Sequence, residues 1–345
     1  MNEYYPWQDE LWQRWAGLRT RLPHALLLKG PQGVGKFDFA MNLAQSLLCE
    51  KPAATGLACQ QCPSCHWFQQ ETHPDFRLLQ PDALSASDEE GEEKDAEKKP
   101  GKKPSRQISV GQIRELSDFS NLSAHQGGYR VVLIHPAETM NANAANALLK
   151  TLEEPSANML IILVSHKPQQ LLPTILSRCL ALAVPTPSPE ASAAWLQQQG
   201  IANPMMMLAQ AGFAPLQAVR LAKEATEAGE YNRFLQEIKQ PAKLDIYVLA
   251  EQLLRTEPIQ VIHWLQQWCY DLASSKLTGK VRYNSNLIDL INKLSDKIDT
   301  HKLMSFHKEL VVAKREALHP LNPKLLFESI LLSYKHMMLA SASGA

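Results

Sequence analysis

The sequence predicts an α/β domain with a mostly parallel sheet and helices on both faces, followed by an all-helical second half. Two observations carry this prediction. Up to about residue 184, short apolar runs alternate with segments of helical periodicity, and this alternation is typical of parallel sheets. Beyond residue 185, apolar residues recur at helical spacing and no strand pattern of any length follows.

The sheet is predicted to contain strands from five short segments. The first is followed by a glycine-rich turn and then by apolar residues at helical spacing from Phe39 to Leu48. A further helix is predicted over residues 142–154, between two of the strands. The predicted strands are residues 25–28, 75–79, 131–134, 160–164 and 180–184.

Prolines at positions 185, 187 and 189 indicate a linker after the sheet. Glycine and proline breaks near residues 200–204 and 212–215 suggest a small helical unit before a larger bundle. We therefore expect an α/β domain over residues 1–184, a small helical domain over 185–228 and a helical bundle over 229–345. Helical periodicity in the second half is clearest in residues 248–254, 261–272, 287–294 and 325–332.

The chain has 345 residues and equal numbers of basic and acidic side chains, 35 of each. A net charge of +0 argues against strong autonomous binding to nucleic acid, which depends on neutralising phosphates. The longest apolar run, residues 159–164, is too short to span a bilayer. Residues 1–5 lack the basic and apolar regions of a signal peptide. We therefore expect a cytoplasmic protein without a membrane partner.

Residues 81–107 interrupt the α/β pattern with an acidic block at 88–93 and a basic block at 98–103. No apolar periodicity runs through this segment, so we expect a disordered, charged surface loop. An alternative is that the lysines of residues 98–106 bind DNA. The adjacent acidic block would partly cancel their field, which favours the solvated loop.

Residues 30–36, GPQGVGK, match the phosphate-binding pattern G-x-x-x-x-G-K. The pattern follows a predicted strand and opens a predicted helix, which is the context that phosphate binding requires. Glycines let backbone N–H groups curl around phosphate, and the lysine reaches the β and γ phosphates. The candidate nucleotide-binding residues are Gly30, Gly33, Gly35 and Lys36.

Two positions that would hold Mg²⁺ carry unsuitable residues. A serine or threonine should follow the lysine, but Phe37 stands there. An acidic residue should end a second strand, but residues 131–134 are followed by His135 and Pro136. Glu138 is interpreted as a helix-start or surface residue. We expect no Mg²⁺ site and no hydrolysis here, whereas ATP or ADP binding without turnover stays open because Lys36 remains.

Cysteines follow the phosphate-loop helix at the spacing C-x9-C-x2-C-x2-C. Tight C-x2-C steps let thiolates converge on one tetrahedral Zn²⁺, so residues 49–66 are predicted to form a structural zinc module. His66 and His73 are alternative ligands, whereas Cys179 and Cys269 stand alone. The predicted ligands are Cys49, Cys59, Cys62 and Cys65.

Two further segments resemble a known family. Residues 146–155, NALLKTLEEP, and 171–179, LLPTILSRC, look like the bacterial clamp-loader family, whose AAA+ subunits open the sliding clamp of the replicative DNA polymerase. The phosphate loop, the cysteine cluster, the LEEP helix and the Ser-Arg-Cys motif occur in the order found in that family. The resemblance covers residues from about 5 to 185. The remaining helical part resembles the family only in its architecture, which is a small lid followed by an oligomerisation collar.

The family has motor subunits, gamma and tau, with an intact ATP site, and a subunit that is degenerate there. Phe37, His135 and Pro136 resemble the degenerate type, as does Pro215 at the place of the motor's sensor arginine. The resemblance implies that Arg178 is an arginine finger in the ATP site of a neighbouring subunit. Considered alone, Arg178 would be a surface residue that caps the entry to a strand or pairs with a nearby carboxylate.

The resemblance further implies a hetero-oligomeric ring with the motor and delta subunits, acting with the sliding clamp on primer-template DNA. Ser165 is expected to be a vestigial γ-phosphate sensor. Trp7, Trp12 and Trp15 are expected to anchor the N-terminal segment rather than stack on DNA bases. Two alternative functions are an active motor-type ATPase and a zinc-containing DNA-binding factor.

Overall fold

The computed structural model describes residues 4–19, 21–85, 104–121, 128–223, 225–317 and 322–339. The chain divides into two compact units, Met1–Ser188 and Pro189–Ala345. The division falls within the proline-containing linker that the sequence predicts. None of the helices among the described residues combines the length and the apolar composition of a transmembrane span.

The first unit is built on a five-stranded sheet with the order β2-β3-β4-β1-β5. Every strand pair in it is parallel, which confirms the predicted fold class. β3 and β4 are buried along their whole length because helices cover both faces of the sheet. The strands are β1 (Ala25–Lys29), β2 (Phe76–Leu79), β3 (Arg130–Ile134), β4 (Met159–Ser165) and β5 (Leu180–Ala183).

The described helices of the first unit are α1 (Asp9–Leu18), α2 (Lys36–Leu48), α3 (Pro63–Gln69), α4 (Asp82–Ser85), α5 (Val110–Asn121), α6 (Ala142–Glu153) and α7 (Pro173–Leu176). Alternate residues of the strands point to opposite faces. Leu26 and Leu28 pack with α1, α2 and α3. Leu27 and Ala25 pack with α5, α6 and α7. Helices therefore lie on both faces of the sheet, as predicted.

The predicted charged loop, residues 81–107, lies largely outside the described residues. Its acidic block and its lysines at 98–103 fall in this part. At its margins, α4 forms a single helical turn, and Ile108 makes an isolated parallel bridge with Met140. The backbone N–H of Ala83 also donates to the carbonyl oxygen of Ser105, at 3.0 Å. The margins of the predicted loop are thus structured.

The second unit is helical throughout its described residues, as predicted. Its core includes Phe234, Trp268, Phe327 and Tyr334, each at most 1 % exposed. The helices are α8 (Pro189–Gln198), α9 (Pro204–Gln210), α10 (Pro215–Lys223), α11 (Ala225–Ile238), α12 (Ile246–Gln252), α13 (Pro258–Thr278), α14 (Ile288–Lys297), α15 (Thr300–Glu316) and α16 (Pro323–Leu339).

The predicted boundary between the small helical domain and the bundle, at residues 228 and 229, lies inside α11. The predicted small domain corresponds to α8, α9 and α10. Gln267 of α13 donates from Nε2 to the carbonyl oxygen of Gln210, at 3.0 Å. The helices α8, α9 and α10 and the helices of the bundle therefore belong to the same compact unit. The division of this unit into a small helical domain and a bundle stays a prediction.

Candidate functional site

The loop between β1 and α2 has the backbone shape of a phosphate-binding loop. Gly33 and Gly35 have φ angles of 79° and 83°, a region that residues with a Cβ rarely adopt. Gly35 is the N-cap of α2, so the free backbone N–H groups of the first helical turn lie at the loop. The structure thus brings together Gly30, Gly33, Gly35 and Lys36 as the sequence predicts, and their binding of nucleotide stays a prediction.

The chain's own N-terminal segment covers this loop. The ring of Tyr5 lies so close to Gly35 that a Cβ there would be 2.3 Å from two ring carbons. The Tyr5 hydroxyl donates to Oδ2 of Asp38, at 2.9 Å. The amide of Gln8 is buried and donates to the carbonyl oxygens of Val34 and Gly35, at 3.1 and 3.0 Å. Tyr5 and Gln8, which precede α1, therefore pack on the loop between β1 and α2 and stabilise its conformation.

The tryptophans of the N-terminal region are structural anchors. Nε1 of Trp7 donates to the carbonyl oxygen of Val34, and Nε1 of Trp12 to that of Thr55, both at 3.0 Å. Trp12 and Trp15 are 4 % and 0 % exposed. The buried rings of Trp12 and Trp15 are not available to stack on bases, which supports the anchoring prediction for these two residues. Trp7 is half-buried and is attached by its hydrogen bond to Val34, and its exclusion from base stacking stays a prediction.

Lys36 is turned towards its own loop. The residue is 2 % exposed, and its Nζ donates to the carbonyl oxygen of Pro31. Burial lowers the pKa of Lys36 to about 8, and the nearby carboxylate of Glu138 opposes this shift. The ammonium group that would reach the β and γ phosphates therefore lies in a low-dielectric position and bonds to a carbonyl oxygen of its own loop.

Three rings occupy the region where a metal-dependent site needs its oxygen ligands. Phe37 packs on His135 with ring centroids 4.6 Å apart, and His135 meets His166 edge-on at 5.3 Å. Burial, as the largest cause, lowers the pKa of both histidines to about 4, so both are neutral at pH 7. Gln80 lies within hydrogen-bond distance of Nδ1 of His135, at 3.2 Å. Phenyl and imidazole rings offer no oxygen to a hard cation.

Glu138 lies in a short 3-10 turn, Ala137–Thr139. It is half-buried, and its Oε1 accepts a hydrogen bond from the backbone N–H of His166, at 3.0 Å. Its second oxygen, Oε2, is buried without a hydrogen-bond partner among the described residues. The helix-start interpretation of Glu138 fits this turn, and its burial beside Lys36 distinguishes it from an ordinary surface residue.

Ser165 ends β4 and is fully buried. Its Oγ accepts a hydrogen bond from the backbone N–H of Lys167, at 3.2 Å. The hydroxyl oxygen therefore takes part in the turn after the strand. Its vestigial sensor role stays a prediction.

The predicted cysteine ligands converge between the end of α2 and the start of α3. Cys49 is the C-cap of α2 and Cys62 is the N-cap of α3. The Sγ atoms of Cys49, Cys59, Cys62 and Cys65 all lie within 4.8 Å of one another. A tetrahedral zinc ion with Zn–S bonds of about 2.3 Å needs sulfur atoms about 3.8 Å apart. The donor set and its spacing therefore fit a Cys₄ zinc site.

Burial raises the pKa of the Cys49 and Cys65 thiols. A bound cation is the ordinary means by which proteins keep such thiols deprotonated. The backbone N–H of Cys59 donates to Sγ of Cys49, at 3.2 Å, which is the kind of contact that supports a ligating thiolate. The local backbone is thus already arranged around the sulfur atoms.

The alternative histidine ligands are engaged elsewhere or lie apart. Nδ1 of His73 accepts from the backbone N–H of Asp75, at 3.0 Å. Its Nε2 pairs with Oγ of Ser64, at 2.9 Å, so both ring nitrogens have partners. His66 is exposed. Among the described residues, the group with metal-ligand spacing contains the cysteines and neither histidine.

Arg178 lies on the surface after α7. Its Nη2 forms an ion pair with Oε1 of Glu153, at 2.8 Å, and its side chain is 34 % exposed. Its Nη1 donates to the carbonyl oxygen of Thr174, at 2.9 Å, and contacts Oγ of Ser177, at 3.3 Å. The carboxylate pairing that the sequence allowed for Arg178 is present, and its role in a neighbouring ATP site stays a prediction.

Sequence reasoning missed three contributors to these sites. Tyr5 and Gln8 belong to the phosphate loop only through the fold, since they lie far from residues 30–36 in the chain. The ring of His166 reaches His135 from the end of the neighbouring strand. No motif marks these positions. The proximity of His135 and His166 could have been predicted from the parallel pairing of β3 with β4. Residues that follow adjacent parallel strands lie at the same edge of the sheet.

Comparisons with known proteins agree with the resemblance seen in the sequence. Residues 8–188 match the family model described as "DNA polymerase III, delta subunit", and residues 227–336 match its C-terminal counterpart. DNA polymerase III subunit delta' of Pseudomonas aeruginosa is 36 % identical, with 97 % of this chain and 98 % of that protein covered.

Two further comparisons give weaker matches. DNA polymerase III subunit tau of Salmonella typhimurium is 34 % identical over 46 % of this chain and 21 % of that protein. A gamma subunit-related protein from Thermotoga maritima has a crystal structure with a TM-score of 0.41 and 18 % identity, covering 96 % of this chain and 99 % of that one. The two family models and the near full-length match to a delta' subunit carry the assignment: the chain belongs to the delta-prime family of clamp-loader subunits of bacterial DNA polymerase III.

Proposed function

We propose that this subunit does not hydrolyse ATP itself and instead completes the ATP site of a neighbouring motor subunit. One observation carries the proposal. Phe37 and His135 occupy the metal-binding region of its own phosphate loop, whereas Arg178 stays on the surface with its side chain 34 % exposed. The ring side chains at these two positions offer no oxygen ligand for Mg²⁺, and Arg178 offers a cation that another subunit's site can use.

The electrostatics of the phosphate loop support the absence of hydrolysis. Phosphoryl transfer needs a metal ion that neutralises charge on the β and γ phosphates. The neutral rings of Phe37, His135 and His166 do not supply the required oxygen ligands. Burial lowers the pKa of Lys36, and the nearby carboxylate of Glu138 offsets this shift only in part. A phosphate would have to replace the bond between Lys36 and the carbonyl oxygen of Pro31.

The chemistry of Arg178 supports a role in trans. A guanidinium group is always charged and presents donors in a planar fork that matches phosphate oxygens. Placed in a neighbour's site, it stabilises the charge that develops on the transferred γ-phosphoryl group. Its position after α7 leaves the side chain at the surface, where a second subunit can reach it.

Zinc is proposed as the structural metal of Cys49, Cys59, Cys62 and Cys65. Four thiolates close a tetrahedral site and leave no open coordination position for a substrate. The ion would tie the end of α2 to the start of α3. The proposed role of the module is therefore structural, and no catalytic step is assigned to it.

The proposed partners are the motor subunits, gamma or tau, and the delta subunit, in a cytoplasmic hetero-oligomeric ring. Through that ring the subunit helps to load the sliding clamp onto primer-template DNA. Residues 229–345 are the proposed oligomerisation collar, and residues 185–228 the proposed lid. A net charge of +0 supports DNA contact through the assembly rather than strong binding by the isolated chain.

The proposal is tested by assembling the complex with Arg178→Ala. Turnover at the neighbouring site should fall by about a hundredfold or more, because one preorganised charged donor is lost at the reacting phosphoryl group. DNA-dependent ATPase of the complex, with single-turnover rates to resolve the affected site, measures the effect. Arg14→Ala changes an exposed arginine of α1 and serves as the matched control.

Equal ATPase rates for wild type and Arg178→Ala complexes would refute the role in trans. The motor-type alternative requires Mg²⁺-dependent hydrolysis by the isolated chain that Lys36→Ala abolishes. The DNA-binding alternative requires the isolated chain to bind primed DNA and to lose that binding when residues 88–106 are deleted. We expect neither result.

A further inference from the structure

The guanidinium group of Arg178 is held by two separate helices. Glu153, the last residue of α6, pairs with Nη2 at 2.8 Å. The carbonyl oxygen of Thr174, within α7, accepts from Nη1 at 2.9 Å. A long, flexible side chain that is bound at both terminal nitrogens has a defined direction, because both bonds must be satisfied together.

This arrangement leaves donors for a ligand. A guanidinium group carries five N–H donors. Among the residues that the structure describes, Glu153, Thr174 and Ser177 engage at most three of them, so at least two donors have no other partner in that part of the chain, on a side chain that is 34 % exposed. The contacts that hold Arg178 are therefore compatible with its binding to a phosphate group in a neighbouring subunit.

The rate of a reaction depends strongly on the position of a charged group such as the guanidinium group of Arg178. Displacing a catalytic group by about 1 Å can lower a rate by a factor of about a hundred. A free arginine side chain samples many rotamers, and ordering it on engagement opposes the reaction. An ion pair that orders the side chain beforehand reduces this cost.

We propose that Glu153 is a positioning residue for Arg178 in the neighbouring subunit's ATPase reaction. The inference rests on the proposed role of Arg178 in trans. Glu153 acts through Arg178 and contacts no nucleotide. Its carboxylate, together with the carbonyl oxygen of Thr174, keeps the guanidinium group directed out of the junction between α6 and α7.

The test uses the complete complex with the clamp and primed DNA, and it measures kcat and KM for ATP. Glu153→Gln keeps the shape of the side chain and removes its charge. It should lower kcat by about two- to fivefold, which is the range for losing an exposed ion pair, with KM for ATP little changed. Glu154→Gln is the matched control, since Glu154 is the exposed neighbour in the chain, and it should leave both constants unchanged.

A double-variant cycle separates positioning from a structural role. If Glu153 acts only through Arg178, Glu153→Gln has no further effect in a complex that already carries Arg178→Ala. The same fractional loss in both backgrounds would overturn the inference, because Glu153 would then act without Arg178. An unchanged or increased kcat for Glu153→Gln alone would overturn it as well.

Two controls keep the outcomes distinct. Assembly of each variant complex is checked by gel filtration, and the exposure of Glu153, 50 % of its side chain, favours normal folding. If Arg178→Ala has no effect, the role in trans itself fails. If Arg178→Ala lowers the rate and Glu153→Gln does not, the role in trans stands and the positioning role fails.

Discussion

At the residue scale, Lys36 is a buried lysine in a phosphate loop whose predicted metal positions carry Phe37 and His135. In a phosphate loop that binds nucleotide, the ligand's negative charge compensates the buried ammonium group. Here the contacts are a backbone carbonyl and the nearby carboxylate of Glu138. Desolvation dominates, because the pKa of Lys36 is lowered to about 8. The lysine should therefore destabilise the folded protein.

Lys36→Met tests this electrostatic cost. The unfolded lysine has its ordinary pKa of 10.5 and the folded one about 8, so the unfolded state binds more protons between these values. The penalty is complete below about pH 8 and disappears as the pH rises towards 10.5. At pH 7 the variant should be more stable, by on the order of 2 kcal/mol.

The measurement is urea unfolding of both proteins at pH 7 and at pH 9.5. The stabilising effect of the substitution should shrink at the higher pH. Lys29→Met, a half-buried lysine at the end of β1, controls for the added apolar side chain. A variant that is less stable than wild type at pH 7 would show that Lys36 makes favourable contacts which outweigh its desolvation.

At the scale of elements, the cysteine module lies where the end of α2 meets the start of α3. α2 ends at Cys49, and a loop of little regular structure leads to Cys62, the cap of α3. Ser64 donates from Oγ to the carbonyl oxygen of Leu48, so α3 is also attached by a side-chain hydrogen bond. Metal binding would add covalent-strength ties at this junction.

Cys62→Ser should remove most of the bound metal, because a hydroxyl is a poor replacement for a thiolate ligand. Elemental analysis of the purified protein should give about one zinc per chain for wild type and close to none for the variant. Cys179→Ser, a half-buried cysteine outside the cluster, should keep its zinc. An unchanged zinc content in Cys62→Ser would contradict the four-cysteine ligand set.

At the scale of the whole molecule, the chain consists of two units with separate apolar cores. In the helical unit, the buried Asp271 accepts from the backbone N–H groups of Arg282, Tyr283 and Asn284, at 2.8–3.0 Å. It thereby ties the segment after α13 to that helix. Separate cores predict unfolding that is not a single two-state transition.

Asp271→Ala should lower the stability of the helical unit by about 3 kcal/mol or more, because the buried backbone N–H and side-chain amide of Asn284 and the partly buried N–H groups of Arg282 and Tyr283 lose their acceptor. Calorimetry should show one transition moved to lower temperature and the other unchanged. Asp296→Ala, an exposed aspartate in the same unit, is the control. If the temperatures of both calorimetric transitions fell together, the two units would unfold cooperatively.

The local sequence alone determined the parallel sheet, the helical second half, the phosphate loop and the cysteine cluster. Each depends on periodicity or short spacing, and these follow from backbone geometry within one segment. Phe37 and His135 could also be recognised as unsuitable metal ligands, because side-chain chemistry is fixed by residue type. The family resemblance added the interpretation of Arg178.

Only the tertiary structure decided which distant residues complete each site. Tyr5 and Gln8 reach the phosphate loop from before α1, and Glu153 reaches Arg178 across the α6–α7 junction. The burial that lowers the pKa of Lys36 is likewise a property of the packed fold. The physical reason is that desolvation and ion pairing depend on distances in space, which local sequence patterns do not encode.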